Sequence, residues 1–397
     1  MRLALWSPRP DEGGLGSLVP MLTGEVSIER VERTPETPPA VDLDLFHVAD
    51  DPTHAFVHHA LRTRPGIVIL EDWNLHRLVH AESAGSGDAA GYRREARHAH
   101  GELGAFVARQ VLRGLGGRLP TLVPMNERVM AAALGVVATC AAVRDRVATR
   151  LPDRPLLLLP LAFASPLPLP DPSQARARRG LDAGPLVVLA LHPAADAGPD
   201  ERVAGALTRL CEAAPGVRVR WLGDDDPDLD RGLAAADVVV ALEDPARHGL
   251  RPAVARAVAA GRPTLVSAGS GAAQELPAGV AAHVPPGHRE QGALLDLLRG
   301  LLSDPARRER MGERARAFAS ARHDPAPMSQ ALLDLVRAVG PVAAAERSAF
   351  AARRAAGATL AGIARDEVAW AARELGLVDL PDDVIPLATG LFREEAP

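Results

Sequence analysis

The feature that most constrains this chain is a repeated alternation of short apolar runs with helical patterns. Continuous apolar strands separated by helices are typical of a parallel sheet that is covered on both faces. Because 397 residues exceed what one ordinary core accommodates, two such sheets are expected. The predicted strands form two series, at residues 3–6, 43–47, 66–70 and 135–139, then at residues 186–191, 217–222, 237–242 and 263–267.

The proline-rich stretch SPLPLPDPSQ, residues 165–174, lies between the two series. Proline lacks the backbone N–H that helices and central strands need, so this stretch is predicted to be a linker. It divides an N-terminal Rossmann-like domain, residues 1–164, from a C-terminal one, residues 175–325. Residues 326–397 are predicted to form a helical appendage, in which the helical pattern is followed by a proline-punctuated tail that contains LPDDVIPL.

All 45 basic residues are arginine, because the chain contains no lysine. A Schiff-base lysine, a pyridoxal-phosphate anchor and the lysine of a P-loop are therefore excluded. The formal charge of −5, with Arg scattered among Asp and Glu, argues against nucleic acid as the main partner and favours a small molecule. Cys140 and Cys211 lie far apart in apolar stretches and are predicted to be buried thiols.

The apolar runs of the sequence do not predict a membrane span. The start, MRLALWSPRP, has too short an apolar core for a signal peptide and indicates a first strand. Residues 130–143 are too few to cross a bilayer, and residues 155–169 are interrupted by prolines. The sequence therefore predicts a cytoplasmic protein without a transmembrane segment.

Several segments together resemble a known family. They are MRLALWSPRPDEGGLGSLVPML, DLDLFHVADDPTHAFVHHAL, RPGIVILEDWNLHRL, HGLRPAVARAVAAGRPTLVSAGSGAAQELPAGVAAHVPPG and LLSDPARRERMGERARAFA. In this order they resemble the bacterial family 4 (group 1) glycosyltransferases, which are retaining GT-B enzymes, over most of residues 1–325. The resemblance implies two doubly wound Rossmann-like domains facing a cleft. It also implies sugar transfer from a nucleotide-sugar donor to an acceptor, without metal or bound cofactor, as in polysaccharide biosynthesis.

A glycine-rich loop with Gly13, Gly14 and Gly16 follows the first predicted strand. Without side chains, these residues let backbone N–H groups and a helix N-terminus approach an anion or a sugar. A tight strand-to-helix turn needs the same glycines, so that interpretation stays open. In the family, the matching loop lies near the donor phosphate and the acceptor.

A second candidate loop contains His248, Gly249 and Arg251 and opens a helix predicted at residues 253–260. Such a helix start, with an arginine beside it, can hold a diphosphate without metal. An ordinary capped helix has the same pattern. Arg251 is the diphosphate candidate of this loop.

This loop and its helix depart from the family at two positions. Where the resemblance calls for glutamates that hold the sugar and the ribose, the chain has His248 and Arg256. A guanidinium only donates hydrogen bonds, so it cannot replace a carboxylate that accepts them from hydroxyls. The sugar and ribose contacts are predicted to be altered or absent.

The rest of the predicted donor site is also unusual. Arg202 follows two acidic residues at the start of its helix and is the other diphosphate candidate. Residues 221–240 are too few for the extra helix and strand that line the family's base pocket. The resemblance adds Ser270 and Glu275 as substrate contacts.

In the first half, Glu71 and Asp72 match a His-Asp pair of the family. With Asn74 and His76 they form a polar cluster at a predicted strand end, where open α/β sheets bind ligands. Glu71, Asp72 and His76 are the catalytic candidates for acid–base work, and Asn74 is a substrate contact. A helix cap with a surface histidine explains the pattern equally well.

Two other polar groups of the sequence do not predict a metal site. The aspartate-rich residues 224–230 are predicted to be a solvated loop after a strand of the second domain. His54 and His58 are spaced four apart on a helix, but a third zinc ligand at a recognisable spacing is missing.

Two functions fit these observations. The first is a retaining glycosyltransferase in which Arg202, Arg251 and the Gly249 loop hold the diphosphate. The second is a GT-B protein that has lost donor chemistry and acts as a scaffold for an active transferase, docking through its C-terminal helices. Adaptable donor contacts favour the enzyme, and the two replaced glutamates favour the scaffold.

Overall fold

The computed structural model describes residues 1–8, 22, 25–160, 169–178, 186–192, 201–223, 226–243, 250–323, 325–357 and 368. Within these ranges the strands form two separate sheets, and every strand pair is parallel. The predicted doubly wound α/β class is therefore confirmed.

The first sheet has six strands in the order β2-β1-β3-β4-β5-β6. Its strands are β1 (Arg2–Trp6), β2 (Ser27–Val31), β3 (Leu43–Val48), β4 (Gly66–Leu70), β5 (Ala133–Ala138) and β6 (Leu156–Leu158). The helices of this half are α1 (Ala55–Leu61), α2 (His76–Glu82), α3 (Ala89–Leu112), α4 (Glu127–Ala132) and α5 (Ala141–Arg150). Every residue of β3, β4 and β5 is buried, which explains the continuous apolar sequences of β4 and β5.

The second sheet has five strands in the order β11-β10-β9-β7-β8. Its strands are β7 (Leu186–His192), β8 (Val217–Gly223), β9 (Val238–Ala241), β10 (Thr264–Ser267) and β11 (Ala281–Val284). The helices are α6 (Pro172–Ala177), α7 (Glu201–Ala213), α8 (Leu229–Ala235), α9 (Pro252–Ala259), α10 (Gly271–Glu275), α11 (Glu290–Ser303) and α12 (Pro305–Arg322). Two apolar clusters, one for each face, enclose this sheet.

A final helix, α13 (Pro325–Gly357), packs against the first sheet. Leu332, Val336 and Val339 of α13 belong to the same buried cluster as the apolar residues of β1 and β3. Arg347 lies 3.5 Å from the buried Asp44 carboxylate of β3. The helix predicted to be an appendage therefore covers one face of the first sheet.

Each sheet has one point at which successive connections leave in opposite directions. In the first sheet β2 lies on one side of β1 and β3 on the other, and in the second sheet β8 and β9 flank β7 in the same way. Ligands of open α/β sheets bind outside the carboxyl ends of the strands at such switch points. A ligand site is therefore expected at the carboxyl edges of the two sheets, next to β1/β3 and β7/β9.

The structure differs from the sequence prediction in three short strands and one helix. β2 is a largely exposed edge strand, β6 has three residues, and β11 has four. Helix α6 begins inside the predicted linker, because Pro172 occupies the first turn, where no backbone N–H is needed, and Asp171 caps it. Among the helices in the described ranges, none has the length and apolar character needed to cross a bilayer.

Candidate functional site

Three side chains at the carboxyl edge of the first sheet form a continuous hydrogen-bonded chain. Ser7 follows β1, His47 is the penultimate residue of β3, and Glu71 follows β4. Ser7 Oγ lies 3.0 Å from His47 Nδ1, and His47 Nε2 lies 2.8 Å from Glu71 Oε1. Ser7 and His47 flank the switch point, because β1 and β3 are the strands on either side of it.

The direction of the hydrogen bonds that join Ser7, His47 and Glu71 follows from the carboxylate at one end. Burial raises the pKa of Glu71, but the charge and hydrogen bond of His47 and the charge of His54 hold the pKa below its usual value. A carboxylate only accepts hydrogen bonds, so Nε2 of His47 donates to it. The Glu71 side chain is 25% exposed and is the solvent-facing end of the chain. It presents a fixed, ionised acceptor at the edge of the sheet.

Asp72 and Asp50 tie the neighbouring loops together. Asp72 Oδ2 accepts a hydrogen bond from the backbone N–H of Asp50 at 3.0 Å. Asp50 Oδ1 accepts one from the backbone N–H of Leu78 at 2.9 Å and so satisfies an N–H in the first turn of α2. Asp72 stands beside Glu71, and one of its oxygens holds the loop after β3.

His76, a predicted catalytic residue, is buried with both ring nitrogens in hydrogen bonds to the protein. Nδ1 lies 2.8 Å from the Val123 carbonyl oxygen, and Nε2 lies 2.5 Å from the Tyr92 hydroxyl. A carbonyl only accepts, so Nδ1 carries the proton, and the Tyr92 hydroxyl, whose pKa burial raises to about 12, donates to Nε2. Burial also lowers the pKa of His76. This geometry favours a structural role over acid–base work.

The predicted substrate contact Asn74 is engaged in the same way. Its Oδ1 accepts from the backbone N–H of His76 at 2.9 Å, and its Nδ2 donates to the Pro120 carbonyl at 3.0 Å. Asn126 donates to the Trp73 carbonyl at 2.8 Å from the same neighbouring segment. These bonds hold the loop after β4, and with it Glu71, in one conformation.

At the second switch point, Arg251 pairs with Glu243. Arg251 precedes α9 and is 6% exposed, and its Nε lies 3.4 Å from Glu243 Oε2. The backbone N–H of Glu243, just after β9, donates to Ser267 Oγ at 3.0 Å. The predicted diphosphate residue is thus beside the edge of the second sheet, with its charge facing a buried carboxylate.

The other predicted contacts on α9 and α10 have partners within the domain. Arg256 forms an ion pair with Asp230 of α8, so the guanidinium that replaces the expected glutamate has its own carboxylate. Ser270 Oγ accepts from the backbone N–H of Ala273 at 3.3 Å and caps α10. The structure gives both residues local roles.

Glu275 joins the two halves of the molecule. Its Oε1 accepts from the backbone N–H of Ala141 at 2.5 Å, at the start of α5, and its Oε2 lies 3.3 Å from Arg322 Nη2. Cys140 directly precedes Ala141. Burial raises the pKa of its thiol to about 12, with further contributions from the charges of Glu275 and Asp72. Glu275 therefore reaches from the second sheet to the carboxyl edge of the first.

Some predicted site residues lie outside the described residues. These are Gly13, Gly14, Gly16, His248 and Gly249, and residues 224–225 of the aspartate-rich loop. Arg202 is in α7, but its side chain is outside the description as well. In the part of the chain that is described, no cluster of three or more His, Cys, Asp or Glu side chains could hold a metal ion.

The sequence prediction missed Ser7 and His47. Both are polar residues at the carboxyl end of an otherwise apolar strand, which is a visible signal in LALWS and LDLFH. The signal is weak because the partners are 40 and 24 residues apart in sequence. Parallel strand order brings them together, and periodicity alone does not reveal that order.

Comparison with known proteins finds similarity in structure alone. No protein-family model matches this chain, and no curated protein matches it. Sucrose-phosphate synthase from Thermosynechococcus elongatus is 14% identical, with 85% of this chain and 99% of that chain covered and a TM-score of 0.56. HepE from Anabaena, solved with UDP-glucose, is 15% identical, with 85% and 100% covered and a TM-score of 0.56. The fold is that of the GT-B glycosyltransferases.

Proposed function

We propose that this protein transfers a sugar from a nucleotide-sugar donor to an acceptor, with retention of anomeric configuration and without a metal. The observation that carries the proposal is the Ser7–His47–Glu71 chain at the switch point of the first sheet. It lies in a fold whose structural neighbours include a protein solved with UDP-glucose. We place the reaction in the cytoplasm, with a polysaccharide or a glycosylated metabolite as product.

In the proposed site, Glu71 accepts hydrogen bonds from hydroxyls of the transferred sugar or the acceptor. His47 is a positioning residue, because it donates to Glu71 and is backed by Ser7. Asp72 adds a second carboxylate beside it. The leaving diphosphate assists deprotonation of the acceptor, so the protein chiefly supplies positioning and charge stabilisation.

The diphosphate is proposed to bind at the second sheet, near Arg202, Arg251 and the N-terminus of α9. The backbone N–H groups of a helix start favour an anion. Arg251 already faces Glu243, so its net contribution to phosphate binding is smaller than that of an unpaired arginine. Within this proposal Arg202, near the start of α7, is the second arginine of the diphosphate site.

The test is glycosyl transfer by the full chain with a panel of nucleotide sugars, with and without EDTA, followed by NMR of the anomeric proton of the product. EDTA is expected to leave the rate unchanged, and the product is expected to keep the anomeric configuration of the donor sugar. Loss of activity with EDTA contradicts metal independence. Inversion contradicts retention.

Glu71→Gln keeps an acceptor for His47 but removes the charge. A charge-assisted hydrogen bond contributes about 1.5 to 3 kcal/mol, so kcat/KM is expected to fall by roughly 10- to 150-fold. Glu82→Gln is the matched control, because Glu82 also pairs with a buried histidine, His58, and has a lowered pKa, but belongs to the end of α2. Equal effects of the two substitutions contradict the role of Glu71. No donor binding and no turnover with any donor leaves the scaffold function instead.

A further inference from the structure

Most of the large apolar side chains that face solvent in the described chain lie in one short segment, residues 103–122. Leu115 is 67% exposed and Leu122 is 56% exposed. The apolar exposed residues of this segment are Leu103, Phe106, Leu112, Leu115 and Leu122. Five exposed apolar side chains in one short stretch of the chain are typical of an interaction surface.

The same segment is basic. Arg109, Arg113 and Arg118 are all exposed, and residues 103–122 contain no Asp or Glu. This composition contrasts with the whole chain, in which 50 acidic residues outnumber 45 basic ones. Apolar side chains flanked by arginines, without acids, suit a surface that is both apolar and negatively charged.

The segment is held in place by its inner face. Val107 and Ala108 of α3 are fully buried in a cluster with Tyr92 and Val123. At 3.6 residues per turn, Leu103, Phe106, Arg109 and Arg113 project within about a third of the helix circumference, on the side away from that cluster. Leu103, Phe106 and Arg109 are therefore presented together on a packed helix, and the exposed Arg113, Leu115, Arg118 and Leu122 follow its C-terminal end.

The segment is also connected to the candidate site. Its last residues and those that follow supply the carbonyl oxygens of Pro120, Val123 and Pro124. These accept hydrogen bonds from Asn74, from His76 and from the backbone N–H of Leu75 at 2.7 Å. The segment that would bind a surface is thus hydrogen-bonded, at its C-terminal end, to the loop after β4 that begins with Glu71.

We propose that residues 103–122 bind an anionic lipid surface, with the five apolar side chains at the level of the acyl chains and the arginines at the headgroups. A second copy of the chain fits less well, because a twofold contact would bring the three arginines of this segment against their own copies, while the neighbouring Glu102 already lies 3.6 Å from Arg97. The proposal concerns binding and does not depend on sugar transfer.

The test is co-sedimentation of the full chain with vesicles of phosphatidylcholine alone and of phosphatidylcholine mixed equally with phosphatidylglycerol. Binding is expected on the mixed vesicles, is weakened by high salt, and is much weaker on the neutral vesicles. Equal binding to both vesicles, or binding to neither, overturns the proposal.

Two double variants separate the contributions. Arg109→Gln with Arg113→Gln is expected to weaken binding to the mixed vesicles by about fivefold per arginine removed. Phe106→Ser with Leu115→Ser is expected to weaken it by about tenfold or more. All four positions are exposed, so the fold is kept, which thermal melting checks.

The matched controls lie on other exposed surfaces. Val342→Ser changes an exposed apolar residue of α13, and Arg310→Gln changes an exposed arginine of α12. Both are expected to bind like the unmodified protein. Segment variants that bind like these controls overturn the proposal. A dimer of the unmodified protein that dissociates on Leu115→Ser assigns the surface to a second copy and overturns it as well.

Discussion

His76 illustrates how the surroundings of a residue decide its role. In sequence, Asp72 and His76 are spaced like an acid–base pair, but the imidazole bonds to Val123 and Tyr92 inside the fold. The case of His47 is the opposite, because it lies in a buried strand while its ring connects Ser7 to the partly exposed Glu71. At this scale, the hydrogen-bond partners of the ring nitrogens distinguish the two histidines: those of His76 are both buried, whereas His47 contacts a carboxylate at the edge of the sheet.

His76→Ala is expected to lower the free energy of unfolding by about 2 to 4 kcal/mol, because it leaves the Val123 carbonyl and the Tyr92 hydroxyl buried without their partner. The pKa of His76 is lowered from 6.5 in the fold, so the unfolded chain binds a proton first. The stability contribution is therefore complete above pH 6.5 and is lost as the pH falls below it.

Thermal and urea unfolding of wild type and His76→Gln between pH 5 and 8 measures this. The glutamine variant should show a flatter pH dependence in that window. A slope that is identical in both proteins contradicts a buried neutral His76.

At the scale of elements, α13 is an integral part of the first domain. Its apolar residues Leu332, Val336 and Val339 complete a cluster that β1 and β3 begin. Gly135 of β5 shows how closely this helix approaches, because a Cβ added there would lie 3.2 Å from Val339 Cγ2. The helix that covers this face of the first sheet therefore comes from the part of the chain that follows the second sheet.

Leu332→Ala is expected to destabilise the protein by about 2 to 5 kcal/mol, since it leaves a cavity between α13 and the sheet. Val342→Ala, on the same helix but exposed, is the control and is expected to change stability by less than about 0.5 kcal/mol. Urea unfolding followed by circular dichroism measures both. Similar values for the two variants would mean that the helix does not support the core.

At the scale of the whole molecule, Glu275 is the described polar link between the two carboxyl edges. It accepts from the first N–H of α5 and pairs with Arg322 of α12. Cys140, next to this bond, is buried in the core of the first half, and the charge of Glu275 contributes to raising its pKa. The thiol therefore reports on whether the two halves remain in contact.

In a Cys211→Ser background, Cys140 is expected to react very slowly with dithionitrobenzoate at pH 8, because burial raises the pKa of its thiol to about 12. Glu275→Ala removes a nearby negative charge and the bond to Ala141, so the reaction is expected to accelerate severalfold. Glu313→Ala, an exposed change on α12, is the control. Fast labelling of the unmodified thiol, or no change with Glu275→Ala, would show that this contact does not close the interface.

The sequence by itself determined the class of the fold. Continuous apolar runs such as those of β4 and β5 predict buried parallel strands, because only a sheet covered on both faces lacks a polar side. Edge strands escape this reasoning. β2 has the sequence SIERV and is mostly exposed, so its residues carry little of the burial signal that reveals a strand.

Tertiary structure alone decided which polar residues meet. Ser7, His47 and Glu71 come together because β1, β3 and β4 are parallel neighbours whose carboxyl ends share one edge. The sequence resemblance predicts substrate contacts for Arg256 and Glu275, but packing gives them Asp230 and Ala141 as partners. Apolar burial acts on every residue of a strand and is readable locally, whereas a hydrogen bond between side chains 40 residues apart depends on strand order, which no local pattern encodes.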